Sequence, residues 1–261
     1  MPELPDLEVF RVNLQKQLLG SPLRAIEVGN PRKVFPAAGP LLEQFIALPL
    51  SDIVRNGKEL FFCFPEGKSF AVHLMLNGKF HLCEDREQAA GIRYPIATFH
   101  FGGQFLVVND PGGLCKVQFM PKVSNVPDAL SPGFTPDYLA DRLRRNPLLN
   151  IKAFLIDQKM VKGIGNAYAD EILWEARIAP QSLCGNLPPA VVALLHDSIQ
   201  RVSKDAIASI LKEAPQIISG EFRDFLKVHH PRRRQSPTGR PIQVKNVASK
   251  TTYFTDEQVL Y

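Results

Sequence analysis

The chain has 261 residues, of which 45% are hydrophobic and 22% charged, with a net charge of +5. That composition fits one large or two ordinary globular domains and excludes a disordered, collagen-like or coiled-coil chain. No apolar run reaches the about 18 residues needed to span a bilayer, and the acidic opening MPELPDLEVF lacks the basic-then-apolar pattern of a secretion leader.

In chain order, residues 5–19 predict an amphipathic helix, with Leu7, Phe10, Leu14 and Leu18 at helical spacing and Gly20 as its stop. Short β-rich runs follow at 24–28, 60–64, 69–74, 79–83, 97–101, 104–108 and 116–119, punctuated by Asn77-Gly78 and Gly102-Gly103. Many short strands with turns between them predict a sandwich or barrel. A proline-rich stretch from Pro121 to Pro136 reads as a linker. Helices are expected at 136–145, 149–158, 166–177, 189–212 and 220–228. In the fourth, Val192, Leu195, Ile199, Val202, Ala206 and Ile210 form one apolar stripe, read as core. Two strand-like runs at 241–244 and 251–254, separated by Asn246, suggest a hairpin. The fold class is α+β. The expected divisions are a β-sandwich domain with its N-terminal helix (1–120), a linker (121–135), a helical domain (136–228) and a terminal hairpin (229–261).

The four cysteines, Cys63, Cys83, Cys115 and Cys184, are scattered without a C-x-x-C pair. They read as small buried hydrophobes of a reducing compartment, which in a bacterium is the cytoplasm and its nucleoid. No metal or other cofactor is expected. Charge is concentrated late: Lys227, Arg232, Arg233, Arg234, Arg240, Lys245 and Lys250 occur with no acid among them. On charge alone this block is either a phosphate-binding surface or a solvated tail.

Pro2 follows Met1, and a small second residue permits methionine removal. The exposed proline is then a secondary amine, nucleophilic when unprotonated and able to form an iminium at an aldehyde-like carbon. Glu3 stands beside it as a proton donor and acceptor. The tripeptide alone is equally a helix leader with proline in its first turn.

Further segments join it. Pro2-Glu3-Leu4-Pro5-Asp6-Leu7-Glu8, Asn56-Gly57-Lys58-Glu59-Leu60, His73-Leu74-Met75-Leu76-Asn77-Gly78, Asn109-Asp110-Pro111, and Leu155-Ile156-Asp157-Gln158 through Asn166 to Trp174 occur in this order. Together they resemble the formamidopyrimidine-DNA glycosylase and endonuclease VIII family across essentially the whole chain. The resemblance implies a bifunctional glycosylase and abasic-site lyase of base excision repair, acting as a monomer on double-stranded DNA with a damaged base or abasic site, with single-stranded DNA as an alternative partner. Carried onto this chain, Pro2 is the nucleophile and Glu3 the acid–base group. Lys58 binds phosphate near the lesion, within a set that also includes His73. Leu76 fills the hole left by the extruded nucleotide, with Leu114 as a second wedge. Asn166, after Gly163 and Gly165, caps a helix whose free N–H groups bind phosphate. Lys250 and Arg240 lie on the basic hairpin, and Glu171 supports the site.

Four departures refine the expectation. Gln235, Thr238, Thr255 and Gln258 fall where many members have zinc-binding cysteines, so the hairpin resembles a zincless finger. Lys250 stands at an arginine position and keeps charge without the bidentate fork. Gly112-Gly113-Leu114 replaces the arginine that reads the opposite base, implying relaxed opposite-base preference. Almost no loop separates Arg223-Asp224-Phe225 from Val228-His229, which tilts the resemblance toward the endonuclease VIII branch and toward oxidised pyrimidine or hydantoin lesions. The competing expectations are a catalytically weak damage-binding protein and a lyase confined to abasic or single-stranded sites.

Overall fold

The computed structural model describes residues 1–261. Its elements are α1 (Leu4–Leu18), β1 (Leu23–Val28), β2 (Val34–Phe35), α2 (Pro40–Glu43), β3 (Asp52–Asn56), β4 (Glu59–Cys63), β5 (Ser69–His73), β6 (Lys79–Cys83), α3 (Arg86–Gly91), β7 (Pro95–Phe101), β8 (Gln104–Asn109), β9 (Lys116–Phe119), α4 (Pro136–Arg144), α5 (Ile151–Ile156), α6 (Asn166–Glu175), α7 (Pro189–Glu213), β10 (Gln243–Val247) and β11 (Lys250–Phe254). They form two compact units. One comprises Met1–Pro2, Asp6–Ser124 and Ile210–Glu221; the other Glu3–Pro5, Asn125–Ser209 and Phe222–Tyr261. No helix is long and apolar enough to cross a membrane.

The first unit is a sandwich of a four-stranded sheet, β1-β7-β8-β6, and a five-stranded sheet, β2-β9-β5-β4-β3. Alternation builds it: in β9, Val117 and Phe119 are buried while Lys116 and Gln118 face water. Phenylalanines close the space between the sheets. Phe70 of β5 stacks on Phe62 of its own sheet (centroids 4.7 Å apart) and on Phe99 of the other sheet (4.3 Å). Each such fully buried ring is worth about 1.5–3 kcal/mol. Leu7, Phe10, Leu14 and Leu18 of α1 enter this core. Gly20 ends the helix in a left-handed conformation (φ +78°), its N–H turned to Leu50 O at 2.8 Å.

In the second unit Thr135 caps α4 and Asn150 caps α5, each side chain accepting a backbone N–H (from Tyr138 and Ala153). Gln158 shapes the connection from α5 to α6: its amide donates to Ile156 O (3.0 Å) and Ile164 O (2.8 Å) and accepts from Gly163 N (2.9 Å). The expected stripe of α7 is core, with Val192, Leu195, Ile199 and Ala206 buried against α4, α5 and α6 residues.

Two expectations are corrected. Residues 220–228 are not helical. Gly220 is left-handed (φ +87°), and the N–H groups of Lys227, Val228 and His229 turn to the Glu171 carboxylate instead of to carbonyls one turn back. Asn246 does not separate the terminal strands but lies inside β10, opposite Thr251. The turn is Ala248-Ser249, both left-handed (φ +53° and +58°), the twist a two-residue hairpin favours. The short elements β2, β3, α2 and α3 had no expectation in sequence.

Candidate active site

The first unit carries a cavity of about 470 Å³ lined by Pro2, Leu76, Gly78, His81, Pro111 and Glu221, among others. Pro2 is buried at its wall. With Met1 in place the Pro2 nitrogen is an amide, and the Met1 ammonium pairs with the Glu221 carboxylate.

Two loops rim the cavity. In the first, Met75 takes a left-handed conformation (φ +54°) and the Gly78 N–H closes on Leu74 O at 2.9 Å. A side chain at Gly78 would strike that carbonyl, so glycine is required there. Leu76 is thereby thrown outward, 58% exposed. The second loop is wound around Asp110, whose buried carboxylate accepts from Gly112 N (2.8 Å), Leu114 N (2.6 Å) and Cys115 N (2.7 Å). Leu114 projects from it, 39% exposed. Both leucines are apolar and face outward. Asp110's anchoring role is not readable from the Asp-Pro dipeptide.

Lys58 sits in the two-residue turn between β3 and β4, beside Gly57 (φ +64°), and is only 7% exposed. Burial, with the charges of Lys58 and Lys116, pushes the His73 imidazole down to about 4. His73 is therefore neutral near pH 7. Its Nδ1 accepts the Met75 N–H at 3.0 Å, so the proton resides on Nε2, a donor. Burial pushes the Cys115 and Cys184 thiols up to about 12 and raises Cys63 and Cys83 as well, which favours the protonated thiol in all four.

In the second unit the N-terminus of α6 is occupied. The Glu3 carboxylate accepts from Gly165 N (2.7 Å), Ala167 N (3.0 Å) and, more weakly, Tyr168 N (3.4 Å). The helix dipole and unpaired N–H groups there favour an anion, and the protein's own carboxylate supplies it. This corrects the expectation that Asn166 caps this helix and that the N–H groups of Gly165, Ala167 and Tyr168 stand free. The cap is Gly165, with no side-chain cap bond. Asn166 is the first helical residue, and its Nδ2 donates to Thr251 O at 3.0 Å, tying α6 to β11.

A buried polar chain extends that tie. Lys152, wholly inaccessible, donates to Asp170 Oδ1 (2.6 Å) and Thr252 Oγ1 (2.6 Å). Asp170 Oδ2 accepts from His229 Nδ1 (2.7 Å) and Tyr253 N (2.9 Å). His229 is thus bound to a carboxylate within the fold. The buried Glu171 carboxyl holds three consecutive backbone N–H groups, Lys227 (2.8 Å), Val228 (2.8 Å) and His229 (2.7 Å). Burial pushes its pKa up and those N–H bonds oppose the push. Lys152 and Asp170 were missed because no spacing rule marks a lysine that folds inward.

At the hairpin base, Thr238 and Thr255 meet through a carboxylate. Glu257 Oε2 accepts from Thr238 Oγ1 (2.8 Å), Thr255 Oγ1 (3.0 Å) and Trp174 Nε1 (3.3 Å), while Oε1 pairs with Arg177 (2.8 Å). Against a desolvation that raises it, these partners hold the Glu257 carboxyl below its ordinary range. Gln258 Nε2 donates to Ile178 O (2.8 Å), and Gln235 bridges to Pro241. Lys250 opens β11 and is exposed; Arg240 is exposed with Asp256 at 3.9 Å.

Comparison with known proteins finds relatives over nearly the whole chain. Residues 1–117 match the formamidopyrimidine-DNA glycosylase N-terminal domain, and residues 126–214 match the formamidopyrimidine-DNA glycosylase H2TH domain. The chain is 33% identical to the formamidopyrimidine-DNA glycosylase of Symbiobacterium thermophilum, over 97% of this chain and 88% of that one. It is 28% identical to the enzyme of Lactococcus lactis subsp. lactis, over 97% of each. Among solved structures it resembles the Lactococcus lactis Fpg in complex with abasic-site-containing DNA (TM-score 0.84, 26% identity, 98% of this chain and 99% of that chain). It is similar to the same enzyme in complex with an oxidised-pyrimidine-containing DNA (TM-score 0.83, 27% identity, 98% and 99%). The chain belongs to the formamidopyrimidine-DNA glycosylase family, and with it to the DNA glycosylases of base excision repair.

Proposed function

We propose that the protein, once Met1 is removed, is a bifunctional DNA glycosylase and abasic-site lyase with Pro2 as nucleophile. The observation that carries the reading is the Glu3 carboxylate, one residue from that nitrogen and pinned by backbone N–H groups of α6. The Pro2 lone pair forms a bond to sugar C1′ as the glycosidic bond breaks and the base departs with that electron pair. Glu3 takes up the proton that the bonded Pro2 nitrogen sheds and passes it to O4′ as the C1′–O4′ bond opens to an iminium. Loss of a C2′ proton expels the 3′ phosphate, and a second elimination expels the 5′ phosphate.

Leu76 and Leu114 fill the space left in the stack. Lys58, His73 as a neutral donor, Asn166, Arg240 and Lys250 contact the DNA backbone, and Glu171 supports the site by fixing the segment after Phe225. The substrate is duplex DNA, the acting form a monomer in the cytoplasm. Residues 229–261 act as a zincless finger in which the Glu257 contacts take the place of a metal. Gly112-Gly113 offers no side chain to read an opposite cytosine, and the stretch from Asp224 to Val228 is short. Both features support the endonuclease VIII branch and a preference for oxidised pyrimidines and hydantoins with little regard for the opposite base. The test is single-turnover excision from duplexes carrying 8-oxoguanine, an oxidised cytosine or a hydantoin, each opposite all four bases. Faster excision of the latter two, nearly independent of the partner, is expected. An 8-oxoguanine preference confined to opposite cytosine refutes the lesion assignment, and binding without excision of any lesion refutes the enzyme reading.

A further inference from the structure

The reacting groups make up only part of the cavity wall. At about 470 Å³ the cavity is of the size that takes a small ring system, and His81 and Asn109 line it together with Pro2. His81 lies in β6 next to Phe80, which is buried in the core between the sheets, so alternation along the strand turns the imidazole to the other face. The ring is half-buried, and only one of its two nitrogens is hydrogen-bonded within the fold.

Asn109 decides where the imidazole proton sits. Its Nδ2 donates to Arg93 O at 3.1 Å, so Oδ1 is the atom that meets His81 Nε2 at 3.0 Å. A carbonyl oxygen only accepts, and Nε2 therefore carries the proton. In the neutral ring Nδ1 then holds a lone pair. That nitrogen has no hydrogen-bond partner in the protein and is not sealed from solvent, so a ligand can reach it. Asn109 thus presets His81 as an acceptor on the wall of the cavity that also holds Pro2.

We propose that His81 is a specificity-determining residue whose Nδ1 accepts a hydrogen bond from an N–H or O–H group of the damaged base. This rests on the glycosylase reading. In that reaction sugar C1′ meets the Pro2 nitrogen, which brings the attached base to the cavity that His81 lines. Hydantoins carry ring N–H groups, and oxidation places a hydroxyl on a pyrimidine C5–C6 edge that otherwise bears only C–H. Both classes supply a donor. A base that turns an apolar edge to His81 leaves the acceptor desolvated and unpaired, and that penalty is the source of discrimination. Cleavage of the strand after the base has left makes no use of the contact.

The test uses the full chain beginning at Pro2 and single-turnover assays on two duplexes, one carrying a hydantoin and the other a preformed abasic site. His81→Leu and His81→Asn introduce side chains of nearly equal size, and neither reproduces the Nε2 bond to Asn109. They differ in that asparagine keeps an acceptor oxygen close to the position of Nδ1. His81→Leu is expected to excise the hydantoin on the order of tenfold more slowly than His81→Asn. Both are expected to cleave the abasic duplex at the wild-type rate, because it presents no base to be read. Any loss of melting temperature from the missing Asn109 bond is common to the two and leaves the comparison intact. Equal hydantoin excision by the two variants overturns the proposal. So does a slowing of abasic cleavage by His81→Leu as large as its slowing of excision, which assigns the ring a structural role. A wild type that cuts the abasic duplex but leaves the hydantoin overturns the proposal together with the lesion assignment. Failure of the wild type on both duplexes refutes the glycosylase reading instead.

Discussion

Gly165→Ala isolates the placement of Glu3. Gly165 has φ −124° and ψ −160°, an extended conformation open to alanine, so the substitution strains no backbone. Its effect is steric. The new Cβ falls 2.6 Å from Glu3 Oε1 and 2.7 Å from Oε2, where atoms in comfortable contact stand about 3.5–4 Å apart. The carboxylate must withdraw by about 1 Å, giving up its bonds to Gly165 N and Ala167 N. Each hydrogen bond to a charged group is worth about 1.5–3 kcal/mol, and water entering the freed helix end recovers part of that. A loss of about 2–4 kcal/mol results. For a protein of this size each kcal/mol lowers Tm by about 2–4 °C. The chemical effect is larger, because a misplacement of about 1 Å costs on the order of 10²-fold in rate. Single-turnover cleavage of abasic duplex, at DNA concentrations that saturate the variant, reads the rate apart from affinity. Wild-type cleavage by Gly165→Ala refutes the assignment of Glu3 to this position and role.

Other outcomes follow from the same geometry. Glu171→Gln sets an amide NH₂ against one of three buried backbone donors; leaving that donor unsatisfied costs about 1–3 kcal/mol. Faster hydrogen exchange at Lys227, Val228 and His229 is the expected signature. Glu257→Ala is expected to loosen the hairpin and weaken DNA binding, while EDTA leaves wild-type activity unchanged; inhibition by EDTA that zinc reverses contradicts this. His73 has a folded pKa of about 4 against an ordinary value of 6.5. Below 6.5 the unfolded chain takes up a proton that the folded chain refuses, so stability falls as pH drops from 6.5 toward 4. His73→Gln is expected to flatten that limb in urea titrations, and an unchanged slope refutes a neutral buried imidazole.

Elements with a strong period were legible in sequence. The α1 stripe and the alternation in β9 each encode which face is buried, and the structure buries those faces. The segment 220–228 misled because its apolar residues are spaced like a helix, while the acceptor for its N–H groups, Glu171, lies some fifty residues away in sequence. Asn166 misled for a related reason. A helix start with asparagine looks like a cap, but the competing anion, Glu3, comes from the other end of the chain. Lys152 and Glu257 were illegible because their meaning lies in long-range partners. Pro2, Glu3 and Leu76 became candidates through ordered motifs, and Leu114 through its place beside one, not through any local propensity.

The proposed chemistry turns on one nitrogen. Borohydride trapping on duplex DNA bearing a single abasic site, using protein shown by intact mass to begin at Pro2, tests it most directly. The expected result is a covalent adduct that peptide mass spectrometry maps to the Pro2 nitrogen and that Gly165→Ala forms more slowly. An adduct at a lysine, or none despite salt-sensitive binding to the same duplex, contradicts it.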